Sequence, residues 1–520
     1  MIPHDLSCRR RIHDGSREAP TDFHLSVGKD DMNEVNFVDT TLRDGQASLW
    51  AMGMRTGMIL PVAEKMDQAG FEAIEMIGIA FVKKCVRELR EDPWERIRLV
   101  RERIRKTPLR AIRGRHIAGF QITPESIENL CIERLVAHGI RQVRISDSSN
   151  TVAVWRQHVH TARVAGLQTI VNLIYTISPR HTDEYYARKA RDAAGLDVDR
   201  ICLKDPGGLL TPERTRTLVP VVLQNAKGIP VELHTHCNTG LGPLCCLEAI
   251  KLGIRSVNTA IPPLADSSSN PSVFNVASNA RALGYTPTVD EEALKPVERH
   301  FTTIAQREGL PIGVPAHYDC FHYMHQVPGG MISNFRHQLS KVGLEGKLQA
   351  VLEETAKVRA EFGYPIMVTP YSQFVGVQAA MNVILGERYK VIPDEVVQYA
   401  LGLWGEEESS SMDPDIRDRI LSTSRAAEFA NWQPPQPSLK EVRGKYGGPG
   451  VSDDDLLLRY FAGEDEVAAM RAAGPSEPTI GARHPLMRLV EELIKRTACN
   501  YIQVQKGTQS LTLQRGHNQL

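Results

Sequence analysis

From residue 35 to residue 261 the chain alternates short apolar runs with longer amphipathic stretches. The runs are VNFVDTT, FEAIEMI, PLRAIR, QVRISD, QTIVNLIYT, RICLKDP, VELHTH and SVNTAI. Each has the length of a strand. The stretches between them, such as GMILPVAEKMDQAG and PLCCLEAIKLG, close on glycine, a usual helix stop. Eight strand–helix units in roughly 250 residues predict a (β/α)8 TIM barrel, an α/β fold. A doubly wound sheet competes, but it requires a glycine-rich phosphate loop after its first strand, and TTLRDGQASLW is not one. Beyond about Pro315 long helical patterns take over, among them GLEGKLQAVLEETAKVRAEFG and IPDEVVQYALGLWG. The expected organisation is a flexible polar segment over 1–34, a barrel over 35–312 and a mostly helical C-terminal domain over 313–475. Residues 476–520 read as a linker followed by a helix and a hairpin, YIQVQKGTQSLTLQ, turning at Lys506-Gly507.

Composition narrows the function classes. Among 520 residues, 62 Lys and Arg balance 62 Asp and Glu, so net charge gives no reason to expect nucleic acid or an acidic membrane as partner. No apolar run is long enough to span a bilayer, and the opening MIPHDLSCRRRIHDG lacks the apolar core of a secretory signal. The nine cysteines form no C-x-x-C pair, which predicts reduced thiols in a cytoplasmic protein. Cys237, beside the histidine pair described next, is expected to face away from it and to pack.

Barrel chemistry gathers at the carboxyl ends of the strands. VELHTH ends in His234 and His236, which on a strand point to the same side. The first strand leads to Arg43-Asp44, the second carries Glu75, the third ends at Arg113, the fourth at Asp147 and the sixth at Lys204-Asp205. The eighth is followed by ADSSSNPS. Asp44, His234 and His236 make a facial set of one carboxylate and two imidazoles, suited to zinc, manganese or cobalt. Lys204 admits two readings: a surface pair with Asp205, or a neutral amine that adds carbon dioxide to become an anionic carbamate ligand. In the second, +2 from the metal and −1 each from Asp44 and the carbamate sum to zero, which lowers the cost of burial.

TTLRDGQASLWAMGMRT resembles the opening motif of the carboxyltransferase domains of biotin-dependent enzymes: pyruvate carboxylase, the oxaloacetate decarboxylase alpha subunit and the transcarboxylase keto-acid subunit. EDPWERIRLVRE, TPLRAIRGR, YTISPRHTDEYY, ICLKDPGGLLTP, LHTHCNTGLGP, HQVPGGMISNF and GYPIMVTPYSQFVGVQAAMNVILGERYK are similar to further segments of that family, in the same order, over about residues 35–475. The resemblance implies a barrel followed by a helical domain, metal ligands at Asp44, carbamylated Lys204, His234 and His236, and a 2-keto acid held by Arg43 and Arg113. It implies carboxyl transfer between biotin N1 and the keto acid's methyl carbon through a metal-stabilised enolate, with pyruvate or oxaloacetate as the default acid. Ser268 stands where the family has a proton-carrying threonine, and keeps the hydroxyl. The implied partners are a biotin carboxyl carrier, biotin carboxylase subunits and further copies of the chain in a homo-oligomer.

Departures bear on the substrate. A family glutamine three residues after the motif's aspartate is replaced by Ala47, leaving Gln46 one position earlier as the substrate-binding candidate. His116 replaces an asparagine, and KDPGG a KDMAG. No biotinyl-lysine motif is present: AEKMDQ lies in a helical pattern, and there is no ATP-grasp-like segment. Biotin is therefore expected on a separate carrier. The alternative is a biotin-independent oxaloacetate-type decarboxylase, or a metal-dependent lyase or aldolase, on the same barrel. A non-catalytic scaffold in a carboxylase complex is a third possibility.

Overall fold

The computed structural model describes residues 33–115, 122–328 and 343–476, the positions Met331, Ile332, Phe335, Leu339 and Ser340 between the last two, and the segments 501–506 and 509–514. Strands β1 (Glu34–Asp39), β2 (Ala73–Gly78), β3 (Leu109–Gly114), β4 (Gln142–Ser146), β5 (Gln168–Ile174), β6 (Arg200–Asp205), β7 (Val231–Thr235) and β8 (Ser256–Thr259) form one parallel sheet in chain order. It closes where β1 pairs with both β8 and β2. All eight predicted strands are present, each within two residues of its expected limits. A two-residue strand, Thr286–Pro287, adds to the outer start of β1.

Alternation decides what the barrel holds. On β4, Val143 and Ile145 are buried among apolar residues, while Arg144, on the opposite face, bonds to residues of β2, β7 and β8. On β7, Leu233 packs outward, and Glu232 and His234 point in. TIM barrels usually fill this space with branched apolar side chains. Here Glu75, Arg110, Arg144 and Glu232, each at most 1% exposed, fill it as paired charges. Arg110 lies 2.8 Å from Glu232, and Arg144 2.8 Å from Glu75. Removing one partner would leave an uncompensated buried charge, which is costly.

Two apolar cores are present among the described residues. One joins the barrel to its surrounding helices. The other lies within residues 327–429, around Phe362, Tyr371, Phe374, Tyr399 and Trp404. The expected helical domain is divided between them. Helices Leu439–Lys445, Asp453–Ala462 and Glu464–Ala472 put Val442, Leu457, Phe461 and Met470 into the barrel's core, not the second one. Arg134 holds Asp454 at 2.7 Å and Arg471 holds Asp92 at 2.9 Å across that seam. An amphipathic stripe shows that a helix has a partner without saying which.

The second core is tied to the carboxyl ends of β4 and β5. Arg359, on helix Leu348–Glu361, donates to the Thr176 hydroxyl and the Ile177 carbonyl, both at 3.0 Å. Arg180 donates to the Gly363 carbonyl at 2.6 Å, and Ser148 to the Thr369 carbonyl at 3.1 Å. Strands Tyr501–Lys506 and Gln509–Gln514 pair antiparallel as the predicted hairpin. Its turn residue Gly507, the expected helix before it, the segment 1–32 and His116 lie outside the described residues.

Candidate metal centre at the carboxyl ends of the strands

Asp44 reaches the barrel mouth on a wide helical turn, Thr41–Gly45, directly after β1. Gly45 lets that turn lie against the loop after β8: a Cβ there would stand 2.8 Å from the Leu264 carbonyl oxygen. His234 and His236 arrive from β7 and the residue just beyond it. Asp44 Oδ2 is 3.1 Å from His234 Nε2 and 3.5 Å from His236 Nε2, and the two ring nitrogens are 3.2 Å apart. All three residues are buried.

The chemistry of this set fits a divalent cation. His236 Nδ1 lies 2.7 Å from the Ser268 carbonyl, which only accepts, so Nδ1 carries a proton and Nε2 is the ring atom turned to Asp44. Burial, then Arg144, hold His234 well below the usual histidine range, which keeps its ring neutral. Burial opposes ionisation of Asp44, but Arg43, followed by His236 and His234, outweighs it and holds the carboxyl well below the usual carboxylate range. Two imidazoles and one carboxylate on a single point are borderline-soft donors, as zinc, manganese and cobalt prefer.

Lys204 lies on β6 directly opposite His234 on β7, so the two share the inner face. It is 5% exposed, and burial, then Arg144 and Arg43, push its amine down to about 8. The surface pair with Asp205 is excluded. Asp205 faces the other way and accepts from the Leu209 and Leu210 amides at 2.8 and 2.9 Å and from the Thr235 hydroxyl at 2.9 Å. Cys237 is buried as expected, its thiol pushed up by that burial.

Arg43 belongs to the cluster: Nη2 is 2.6 Å from Asp44 Oδ2 and Nε 2.5 Å from Glu75 Oε2. Ser268 is half-buried on the loop that fixes His236, with its hydroxyl donating to the Ser48 carbonyl at 3.2 Å. Two expected substrate residues are not gathered in. Arg110 points into the barrel, so Arg113, three positions on, has the opposite parity. Its guanidinium turns to Glu128, 3.0 Å away on helix Glu125–Ala137. Gln46 is buried, and its side-chain oxygen accepts from the Met54 amide at 3.3 Å. Conversely, Arg144, Asn258 and Asn270 surround His234 and were not singled out from the sequence. The available signal was a charged or amide residue at the inward parity of an apolar strand, in QVRISD and SVNTAI.

The chain is similar to known proteins along most of its length. Residues 34–300 match the HMGL-like family and residues 323–461 the conserved carboxylase domain. The chain is 35% identical over 452 residues to a pyruvate carboxylase subunit of Methanocaldococcus jannaschii, covering 85% of this chain and 79% of that one. It is 31% identical over 437 residues to the 2-oxoglutarate carboxylase large subunit of Hydrogenobacter thermophilus, covering 82% and 67%. It is 29% identical over 453 residues to the methylmalonyl-CoA carboxyltransferase 5S subunit of Propionibacterium freudenreichii subsp. shermanii, covering 87% and 88%. The fold matches the carboxyl transferase domain of Rhizobium etli pyruvate carboxylase, solved with oxamate and biotin. That match has a TM-score of 0.77 and 24% identity, and covers 86% of this chain and 79% of that one.

Proposed function

Because the chain belongs to the HMGL-like barrels with a conserved carboxylase domain, the carboxyltransferase components of biotin-dependent carboxylases, we propose that it moves a carboxyl group between biotin on a separate carrier and the methyl carbon of a 2-keto acid. The observation that carries this is the convergence of Asp44, His234 and His236 at the barrel mouth, with Lys204 and Arg43 beside them. Asp44, His234 and His236 would hold a zinc, manganese or cobalt ion, and Lys204 would join them as a carbamate. When bound, the ion supplies Lewis acidity toward the keto oxygen. The lowered amine of Lys204 supports carbamate formation: its neutral nitrogen adds carbon dioxide and releases a proton.

Arg43, already placed by Glu75, brings a fixed positive charge to the negative oxygen that develops as the keto acid enolises. Ser268 would carry the proton between biotin N1 and the enol carbon. A hydroxyl that both donates and accepts can do this by rotation. Pyruvate and oxaloacetate are the preferred acids. The 2-oxoglutarate carboxylase relative makes 2-oxoglutarate, which would react at a methylene carbon instead of a methyl, the second acid to try.

The test supplies the purified chain with a biotinylated carrier, oxaloacetate and a divalent ion. Pyruvate release is expected only with the carrier, and is expected to disappear in His234→Ala. Absence of turnover with every biotin donor and keto acid would overturn the proposal. Turnover that persists after avidin removes the biotin would favour the decarboxylase or lyase alternative.

A further inference from the structure

The polar shell behind His234 has a definite donor and acceptor order. We propose that Asn258 and Asn270 are positioning residues that fix the proton of the neutral His234 ring on Nδ1 and leave Nε2 free for a divalent cation. The inference rests on reading the Asp44–His234–His236 cluster as a metal centre.

Amide oxygens and nitrogens look alike, but here their neighbours tell them apart. The side chain of Asn258 stands between Arg144 Nη1, 2.7 Å away, and Glu232 Oε1, 3.4 Å away. A guanidinium only donates and a carboxylate only accepts, so the Asn258 oxygen faces Arg144 and its NH2 faces Glu232. That same oxygen is 2.9 Å from His234 Nδ1. An amide oxygen only accepts, so this contact is a hydrogen bond only when Nδ1 carries the proton. Asn270 is ordered by a different neighbour. Its NH2 donates to the Thr235 carbonyl at 2.8 Å and lies 3.3 Å from His234 Nε2. A donor at Nε2 is satisfied only by a lone pair there. Two side chains from different places, one on β8 and one on the loop after it, therefore select the same tautomer.

Arg144 opposes them. Its Nη1 is 3.0 Å from His234 Nδ1 and would donate to a lone pair there. The opposite tautomer would then have Nε2–H pointing at Asp44 Oδ2, 3.1 Å away, and no lone pair for a metal. Asn258 prevents this by giving Arg144 a nearer acceptor and Nδ1 an acceptor of its own. All four residues, Arg144, Glu232, Asn258 and Asn270, are buried, so water does not substitute for either amide. His236 needs no such device, because a main-chain carbonyl sets its tautomer.

The full chain is titrated with Co2+ alone, and the visible absorption of the bound ion is read. Asn258→Leu removes the acceptor and leaves Nδ1 facing Arg144; Co2+ affinity is expected to fall about 10–100-fold. Asn258→Asp keeps an acceptor in the same place and is expected to recover most of that loss. A merely structural role for Asn258 would not produce this recovery. Binding of Co2+ to Asn258→Leu within about twofold of the unchanged chain would overturn the proposal, as would Asn258→Asp binding no better than Asn258→Leu. Should Asn258→Leu fail to fold, nitrogen NMR of the unchanged, metal-free chain labelled at histidine decides the question. The His234 signals are identified by their loss in His234→Gln. A protonated Nδ1 is expected, and a protonated Nε2 would overturn the proposal. If the unchanged chain binds no Co2+, the metal-centre reading fails, while the NMR result still decides the tautomer.

Discussion

Asp44 is both a member of the buried cluster with His234 and His236 and the partner of Arg43, so its charge bears on two contacts. Asp44→Asn keeps the shape and removes the charge. Metal affinity is expected to fall by more than about 100-fold, beyond the loss typical of an outer-shell residue, and metal content by atomic emission checks it. Lys204 carries a pH signature. With its amine at about 8, the neutral fraction falls about tenfold for each pH unit below that value. Protein stripped of carbon dioxide by acid and vacuum is therefore expected to regain activity far more slowly at pH 6.5 than at pH 8, at equal dissolved carbon dioxide. An equal recovery rate at the two pH values would count against a carbamate.

The short helix Glu406–Ser409 lies where the second core meets the barrel, and Glu408 on it is 3% exposed, with Oε2 3.5 Å from Arg180. Burial pushes its carboxyl up to about 7, with Arg180 opposing. The folded state then holds a proton between about pH 4.5 and 7 that the unfolded chain has released. Stability is present below that window and is lost as pH rises through it. Glu408→Gln is expected to flatten this slope, by an amount of order 2–3 kcal/mol, in thermal melts taken at pH 5 and pH 8. Phe374, on helix Tyr371–Leu385, packs against Tyr371, Tyr399, Trp404 and Phe362. Phe374→Ala is expected to cost about 3–5 kcal/mol, read as a shift of the urea midpoint. The strands were legible in sequence because both flanks of each apolar run carry their own stop signals, glycine among them. The wide turn after β1 was not. Nothing in TTLRDG distinguishes it from an ordinary loop until β8 is placed against Gly45.

The molecule is a barrel with a helical cap fixed over one side of its mouth, and the chain returns from that cap to cover the barrel wall with its helices from 439 to 472. Ending the chain after residue 438 is expected to expose the barrel face that Leu457 and Phe461 cover. Hydrogen exchange should speed up in the barrel strands, while helix Tyr371–Leu385 keeps its protection. The sequence by itself determined the barrel, because eight apolar runs with helical spacers close in only a few ways. It also placed the histidine pair: alternation alone puts His234 and His236 on one face, and the chemistry of imidazole limits what they could hold. Only the tertiary structure decided which charges meet. The pairing of Arg113 with Glu128, the return of the last helices to the barrel, and the two asparagines behind His234 each depend on how elements far apart in the chain come together. A side chain's parity can be counted along a strand, but its partner belongs to a strand or helix whose distance and rotation no local pattern encodes.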